Sequence, residues 1–274
     1  MPVNPKMKLV EHLLDPEKIE QRPTRDGYGL GLVQAGDEDP SVVALCADLT
    51  ESTRTEAFAK KYPDRFIEMG VAEQNLASVA SGLAAMGKIP FTTSYAMFSP
   101  GRNWEQIRTT IAYNRRKVVI VGSHAGVSVG PDGGTHQAIE DIAIMRVIPT
   151  LVVLVPADAI EARKATLAAA QIDSPVYLRL AREKSPVMTT DASPFEIGKA
   201  NVLRDHASPK VAIIACGPLV YKTLVVAEKL AKEGIEVSVV NNHTIKPLDE
   251  ETLVRIAQKA GRVVTVEEHQ IAGG

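Results

Sequence analysis

Cysteine is nearly absent from this sequence: only Cys46 and Cys216 occur in 274 residues, each inside an apolar run, VVALCADL and VAIIACG. Two such residues make no disulfide framework and read as buried, reduced thiols, which points to a reducing, cytoplasmic setting. Aromatic residues are as scarce. With five Phe, six Tyr and one Trp, any two that fall together carry weight. Neither sign of charge dominates; the formal net charge is −2 and the charges are mixed along the chain, so no nucleic-acid partner is expected. No run approaches the roughly 20 apolar residues that span a bilayer, and the opening MPVNPKMKLVEHLLDPEK lacks a signal-peptide core. No membrane partner is expected either. There is no internal repeat and no low-complexity tract.

What is present is 45% hydrophobic residues, enough over this length for one large or two medium domains. Residues 1–22 read as a polar arm with one short amphipathic piece around Leu9, Leu13 and Leu14. Pro23-Thr24 signals a helix start, and the helix runs to about Gly36. Strand-type runs follow at 41–48, 65–69, 89–95, 117–123, 150–157 and 175–181, separated by helical stretches near 54–61, 72–87, 102–114, 137–146 and 158–171. Most of these strands are continuously apolar rather than alternating, the pattern of a parallel sheet covered on both faces. The spacing predicts an α/β fold with a doubly wound, mostly parallel sheet over 23–185. Residues 186–209, with Pro186 and Pro194, read as a linker. A second, smaller α/β domain follows over 210–274, with strands at 210–216, 236–241 and 262–268 and helices at 218–232 and 249–260. It stops after a strand, before the crossover helix expected next, and so reads as truncated.

The stretch from Arg65 to Met97 organises the first domain. A short strand turns at Gly70 into a helix of small residues, which something must approach closely. Glu73 sits in the first turn of that helix, where the dipole favours a negative charge; on spacing alone it reads as an ordinary helix-start acid. Ligands of open α/β sheets bind beyond the carboxyl ends of the strands. Those ends carry Asp48 to Ser52, Glu73, Tyr95 with Phe98, the loop SHAGVSVGPDGGTHQ (123–137) and Arg182. The loop's glycines at 126, 130, 133 and 134 let backbone approach a ligand, and it holds His124, Asp132 and His136. Eleven residues separate its two histidines and no cysteine is near, a poor spacing for zinc, so no metal site is expected in this chain. The GYGLG at 27–31 follows no strand and has no third glycine at the required place, where Leu32 stands, so it is no dinucleotide fingerprint. Cys216-Gly217-Pro218 reads as a tight strand-to-helix connection, and His12, His206, His243 and His269 receive no role.

The segments ADLTEST, FIEMGVAEQN, SYAMF, SHAGVSVGPDGGTHQ and LAR together resemble the C-terminal half of a transketolase, a pyrimidine-binding domain followed by the transketolase C-terminal domain. The resemblance runs from about Arg22 to the end of the chain. It implies thiamine diphosphate as cofactor and transfer of a two-carbon ketol unit between phosphorylated sugars, as in the pentose phosphate pathway. It implies that Glu73 hydrogen-bonds the aminopyrimidine ring nitrogen, that Phe98 stacks on that ring with Tyr95 beside it, and that Asp48 lies near the cofactor at a subunit interface. It makes Glu73 and His136 the catalytic residues. Asp132 and His136 would meet sugar hydroxyls, and His124, Arg25, Ser52 and Arg182 the substrate phosphate, for which guanidinium forks are suited.

The family's GDG motif, which with a following Asn holds the diphosphate and its Mg2+ (or Ca2+), does not occur here. Arg25-Asp26-Gly27 and Gly36-Asp37-Glu38 come nearest, and neither follows a strand. The resemblance therefore implies a split transketolase: a partner subunit brings the diphosphate and metal half, and two such pairs form a heterotetramer. A half-enzyme like deoxyxylulose-5-phosphate synthase or the β subunit of a 2-oxo acid dehydrogenase is an alternative, the histidines of the loop favouring sugars over the latter. A non-catalytic binding module that kept the fold is another, against which intact Glu73, His124, Asp132 and His136 stand.

Overall fold

The computed structural model describes residues 3–274, so the first two residues of the expected arm lie outside the described residues. In chain order the first part comprises β1 (Gln21–Arg22), α1 (Thr24–Glu38), β2 (Val42–Cys46), α2 (Glu56–Lys61), β3 (Phe66–Glu68), α3 (Glu73–Ala85) and β4 (Ile89–Tyr95). A short α4 (Trp104–Gln106) runs into a π-helical segment (Ile107–Ala112), followed by β5 (Val119–Ser123), α5 (Asp141–Arg146), β6 (Val152–Leu154), α6 (Ala159–Gln171), β7 (Val176–Arg179) and β8 (Ser185–Pro186). The second part comprises β9 (Asn201–Arg204), β10 (Val211–Ala215), α7 (Leu219–Lys232), β11 (Val237–Asn241), β12 (Thr244–Lys246), α8 (Glu250–Ala260) and β13 (Val263–Val266).

All six strand-type runs of the first domain become strands of one parallel sheet in the order β6-β7-β5-β4-β2-β3. Their continuous apolar character has a direct cause, because both faces are covered. Val42 and Ala44 of β2 point into a core with Tyr28 and Leu32 of α1 and the alanines of α6. Val43 and Leu45 point the other way, against Leu76 and Ala80 of α3, the π-helical segment and α5. The second part forms a four-stranded sheet, β13-β10-β11-β9, with β9 antiparallel at its edge.

Three features depart from the sequence expectations. The stretch read as a linker contains β9, a four-residue strand with polar Asn201 and Arg204 at its ends, of which Leu203 and Arg204 are buried. Strand β12 follows β11 yet joins the first sheet, antiparallel beside β6, so the two units share a sheet edge. The N-terminal arm is not simply polar. Leu13 and Ile19 are buried with Val220 and Leu224 of α7, Asn4 donates its backbone N–H to the Leu203 carbonyl at 2.8 Å, and Val10 does the same to Met188 at 3.0 Å.

The GYGLG segment also finds its purpose in packing. It lies within α1, where a Cβ at Gly27 would stand 1.8 Å from the Ala159 carbonyl oxygen of α6, and one at Gly31 would stand 2.8 Å from Thr166 Cβ. The glycines are a notch in which the two helices touch backbone to backbone at Gly27 and backbone to side chain at Gly31. Gly82, within α3, has nothing within 4 Å of the equivalent position. Urea unfolding should therefore separate the two: Gly27→Ala is expected to lose about 1–3 kcal/mol through overpacking. Gly82→Ala is expected to gain up to about 1 kcal/mol from helix propensity and a less flexible unfolded chain. A Gly27→Ala protein as stable as the wild type would contradict the close approach of α1 and α6.

Candidate active site

Parallel strands end their carbonyl termini on one edge, and the singled-out residues collect there. Glu73 opens α3 with its side chain only 4% exposed. A buried carboxylate demands partners. Arg102 Nη1 lies 3.3 and 3.4 Å from its two oxygens, and Asn103 Nδ2 donates to its backbone carbonyl at 2.9 Å. The Arg102 guanidinium also lies over the Phe98 ring, 4.5 Å from its centroid, while its side chain is half exposed. A flat N–H donor thus occupies the gap between a buried carboxylate and an aromatic face.

Tyr95 ends β4 and Phe98 lies in the turn after it; the two rings stand nearly parallel, 15° between planes and 6.1 Å between centroids. Tyr95 stacks in turn on His124 at 3.8 Å. His136 presents its edge to Phe98 at 5.3 Å and to Tyr95 at 6.0 Å. The scarce aromatics therefore form one wall, with Glu73 at one end and His124 at the other.

Beyond His124 the site turns cationic. Arg25 Nη1 donates to the Ser52 carbonyl at 2.7 Å and lies 3.2 Å from His124 Nε2. Since an arginine only donates, Nε2 accepts, and the imidazole proton sits on Nδ1, facing Ser123 Oγ at 2.9 Å. Burial, and then the nearby Arg25, Arg182 and Arg54, push the His124 pKa down to about 3, so the ring is neutral at physiological pH. Burial and neighbouring Arg54 likewise lower the Arg25 pKa, and Arg25 Nε, buried, has no hydrogen-bond partner among the described residues. Arg54 is engaged with Asp26 at 2.7 Å, and Arg182 with Glu183.

The loop after β5 is closed at its base. Ala125 and Ala138 bridge, and Gly126 N donates to the Ala138 carbonyl at 2.8 Å. Its projecting part carries Asp132, whose Oδ2 is 4.0 Å from Arg182 Nε and is itself buried without a hydrogen bond. It also carries His136, held by Thr135 Oγ1 at 2.9 Å from Nδ1.

Chains of direct contact thus connect the site residues in two linked groups: Glu73 through Arg102 to Phe98, His136, Tyr95, His124, Arg25 and Ser52, and Asp132 with Arg182 beside them. Asp48 stands apart. It is exposed, its φ is +58°, and its backbone N–H, not its carboxylate, donates to Glu68 Oε1 at 2.7 Å. Among the described residues no cluster of three His, Cys, Asp or Glu could hold a metal. Sequence inspection passed over Arg102 and Asn103, which follow the Pro100-Gly101 turn at the start of the helical stretch expected over 102–114. It also passed over the Arg54–Asp26 pair, which joins α1 to a loop 28 residues away.

The depressed His124 value fixes a pH dependence. The unfolded chain takes up that proton near pH 6.5 and the folded one only near pH 3, so stability falls as pH drops through this window. Between pH 7 and pH 5 the wild type is expected to lose about 1–2 kcal/mol more than His124→Gln in urea unfolding. Parallel pH profiles of the two proteins would contradict a buried neutral imidazole.

Known proteins resemble this chain over both units. Residues 20–187 match the family model for the transketolase pyrimidine-binding domain, and residues 198–274 that for the transketolase C-terminal domain. A putative transketolase C-terminal section of Methanocaldococcus jannaschii is 44% identical over 252 residues, covering 91% of this chain and 78% of that protein. A 6-deoxy-6-sulfo-D-fructose transketolase subunit of a Clostridium species is 41% identical, covering 94% and 79%. Rat transketolase is 37% identical, covering 92% of this chain but 40% of its own length. Among solved structures, a split gene transketolase described as an inactive β4 tetramer superposes with a TM-score of 0.84 at 46% identity, covering 92% of this chain and 80% of that one. Transketolase from Campylobacter jejuni superposes at 0.83 with 26% identity, covering 96% and 43%. No helix is long and apolar enough to cross a membrane. With the pyrimidine-binding and C-terminal domain models matched in order along its two α/β units, the chain belongs to the transketolase family, as a transketolase C-terminal half.

Proposed function

We propose that this chain is one subunit of a thiamine diphosphate-dependent transketolase, moving a two-carbon ketol unit between phosphorylated sugars in pentose phosphate metabolism once a diphosphate- and metal-binding subunit joins it. The observation that carries this is the slot between Glu73 and Phe98. It holds a planar cation that hydrogen-bonds the carboxylate and lies on the ring, which is what an aminopyrimidine needs from its binding site. Arg102 is half exposed and free to swing out when the cofactor enters.

Bound there, the cofactor supplies the electron sink that the chemistry requires. Glu73 would hydrogen-bond the pyrimidine ring nitrogen, its burial keeping water from competing for that contact. Phe98 and Tyr95 fix the ring plane. His136, edge-on to Phe98, and Asp132, with an unpaired buried oxygen, bind the sugar hydroxyls near the reacting carbons, with His136 as the proton-handling group. At the other end of the aromatic wall Arg25, with an unpaired Nε, joins Arg182, His124 and Ser52 around the anionic end of the substrate. The neutral His124 adds no positive charge there but keeps Arg25 aimed. Exposed Asp48 is assigned to the edge facing a second subunit near the cofactor. Residues 23–185 make up the cofactor-binding unit and 210–274, joined by β9 from the segment between them, the smaller one, and the assembly is a heterotetramer.

Two further observations support dependence on a partner. No GDG stands anywhere in the chain, so Mg2+ or Ca2+ and the diphosphate fall to the other subunit. The structural relative composed of β chains alone is described as inactive. Buried free thiols at Cys46 and Cys216 suit a cytoplasmic location. The guanidinium cluster also accepts a sulfonate, and one relative is named for a sulfonated ketose, so both anions belong in the assay.

The test is ketol transfer from xylulose 5-phosphate, and from 6-deoxy-6-sulfo-D-fructose, to an aldose phosphate with thiamine diphosphate and Mg2+. It is run with this chain alone and with the GDG-bearing subunit added. Activity is expected only in the mixture, and Glu73→Ala is expected to lower it by at least about a hundredfold, the scale of a lost acid–base group, without unfolding the chain. Turnover by the chain alone, or a Glu73→Ala mixture at wild-type rate, would overturn the proposal.

A further inference from the structure

Loops rich in glycine are mobile unless something outside them holds them. The loop that carries Asp132 and His136 is secured at its base by the Ala125–Ala138 bridge, but its first projecting residues are held from the second unit. Glu268, just after β13, receives the Ser128 backbone N–H on Oε1 at 3.1 Å and the Ser128 hydroxyl on Oε2 at 3.0 Å. Its own position is set by Arg179 Nη2, which donates to the Glu268 carbonyl at 2.8 Å and to the Ala138 carbonyl at 3.2 Å. The next residues run along the far side of the loop, Gln270 N–H bonding the Ile139 carbonyl at 2.9 Å and Ala143 N–H reaching His269 Nε2 at 3.3 Å. The seat is built for the carboxylate: a Cβ at Gly126, whose φ is +89°, would stand 2.6 Å from Glu268 Oε2.

We propose that Glu268 is a positioning residue for the reaction, a carboxylate on the smaller unit that sets the loop bearing Asp132 and His136 through a two-point grip on Ser128. The proposal rests on those two residues meeting the sugar. It gives the smaller unit a part in substrate binding, although none of its residues reaches the aromatic wall. Glu268 and Ser128 line a cleft of about 280 Å3 between the units, not the tightly packed core, so substitution there leaves the fold intact.

Hydrogen exchange on the full chain reads the grip directly and needs no substrate. Glu268→Ala is expected to speed exchange over 127–137 by at least about tenfold, the scale of losing hydrogen bonds to a charged group, with an unchanged melting temperature. Ser128→Ala, which loses only the hydroxyl contact, falls between it and the wild type. In the mixture with the GDG-bearing subunit, kcat/KM for xylulose 5-phosphate and ribose 5-phosphate should fall about tenfold in Glu268→Ala, matching the lost grip. It should recover in Glu268→Gln, which still accepts the Ser128 N–H. Unchanged exchange in Glu268→Ala, or a Glu268→Gln no better than Ala, would overturn the proposal. Faster exchange with unaltered kinetics would uphold the grip and instead refute the reading that this loop holds the sugar.

Discussion

A single buried ion pair joins the parts of this molecule that must act together. Arg179, at the end of β7, is 5% exposed and directs its guanidinium to both oxygens of buried Asp141, at 2.8 and 3.2 Å. Tyr177 gives its hydroxyl to the same carboxylate at 2.7 Å. The remaining Arg179 donor capacity goes to the Ala138 and Glu268 carbonyls. Sheet, α5, the end of the glycine loop and the segment after β13 therefore meet on one side chain. Such a pair adds little net stability over a well-packed apolar core, because desolvating two charges offsets their attraction. Removing either partner alone costs about 3–5 kcal/mol. Its value here is geometric, since planar donors at fixed angles hold four segments in one arrangement.

On that frame the site is graded in charge. At one end a carboxylate is buried at a helix start, where the helix dipole and Arg102 compensate it. At the other, Arg25, Arg54 and Arg182 crowd together, with Asp26 and Glu183 balancing two of them. Between them runs the wall of Phe98, Tyr95, His136 and His124, in a chain whose aromatics are only 4% of its residues. The proposed substrate, with an anionic tail and a reacting carbonyl several carbons away, is the kind of molecule that such a gradient would orient.

Much of this was legible in the linear sequence because it depends on short-range pattern. Runs such as VVALC and VVIV are apolar at every position since residues i and i+1 enter different cores, and that doubling marks the parallel strands. Glu73, Tyr95, Phe98 and His124 were accessible for the same reason: each follows directly on a strand or strand-to-helix turn. What escaped depends on contacts that no local pattern encodes. Arg102 matters because a turn returns it to Glu73, 29 residues earlier. Strand β9 is short, polar at both ends and recognisable only beside β11, and β12 is displaced into the other unit's sheet. The piece around Leu9, Leu13 and Leu14 reads in sequence as an isolated amphipathic fragment, and only α7 supplies the surface that Leu13, together with Ile19, covers.

The central claim is that the slot between Glu73 and Phe98 receives the pyrimidine of a cofactor whose other half is held elsewhere. The most direct measurement is a structure of the chain assembled with its GDG-bearing partner, thiamine diphosphate and Mg2+. The account predicts the aminopyrimidine ring within hydrogen-bond distance of the Glu73 carboxylate and stacked on Phe98, with Arg102 displaced from both. Cofactor bound with Arg102 still seated on Glu73 and Phe98 would contradict it.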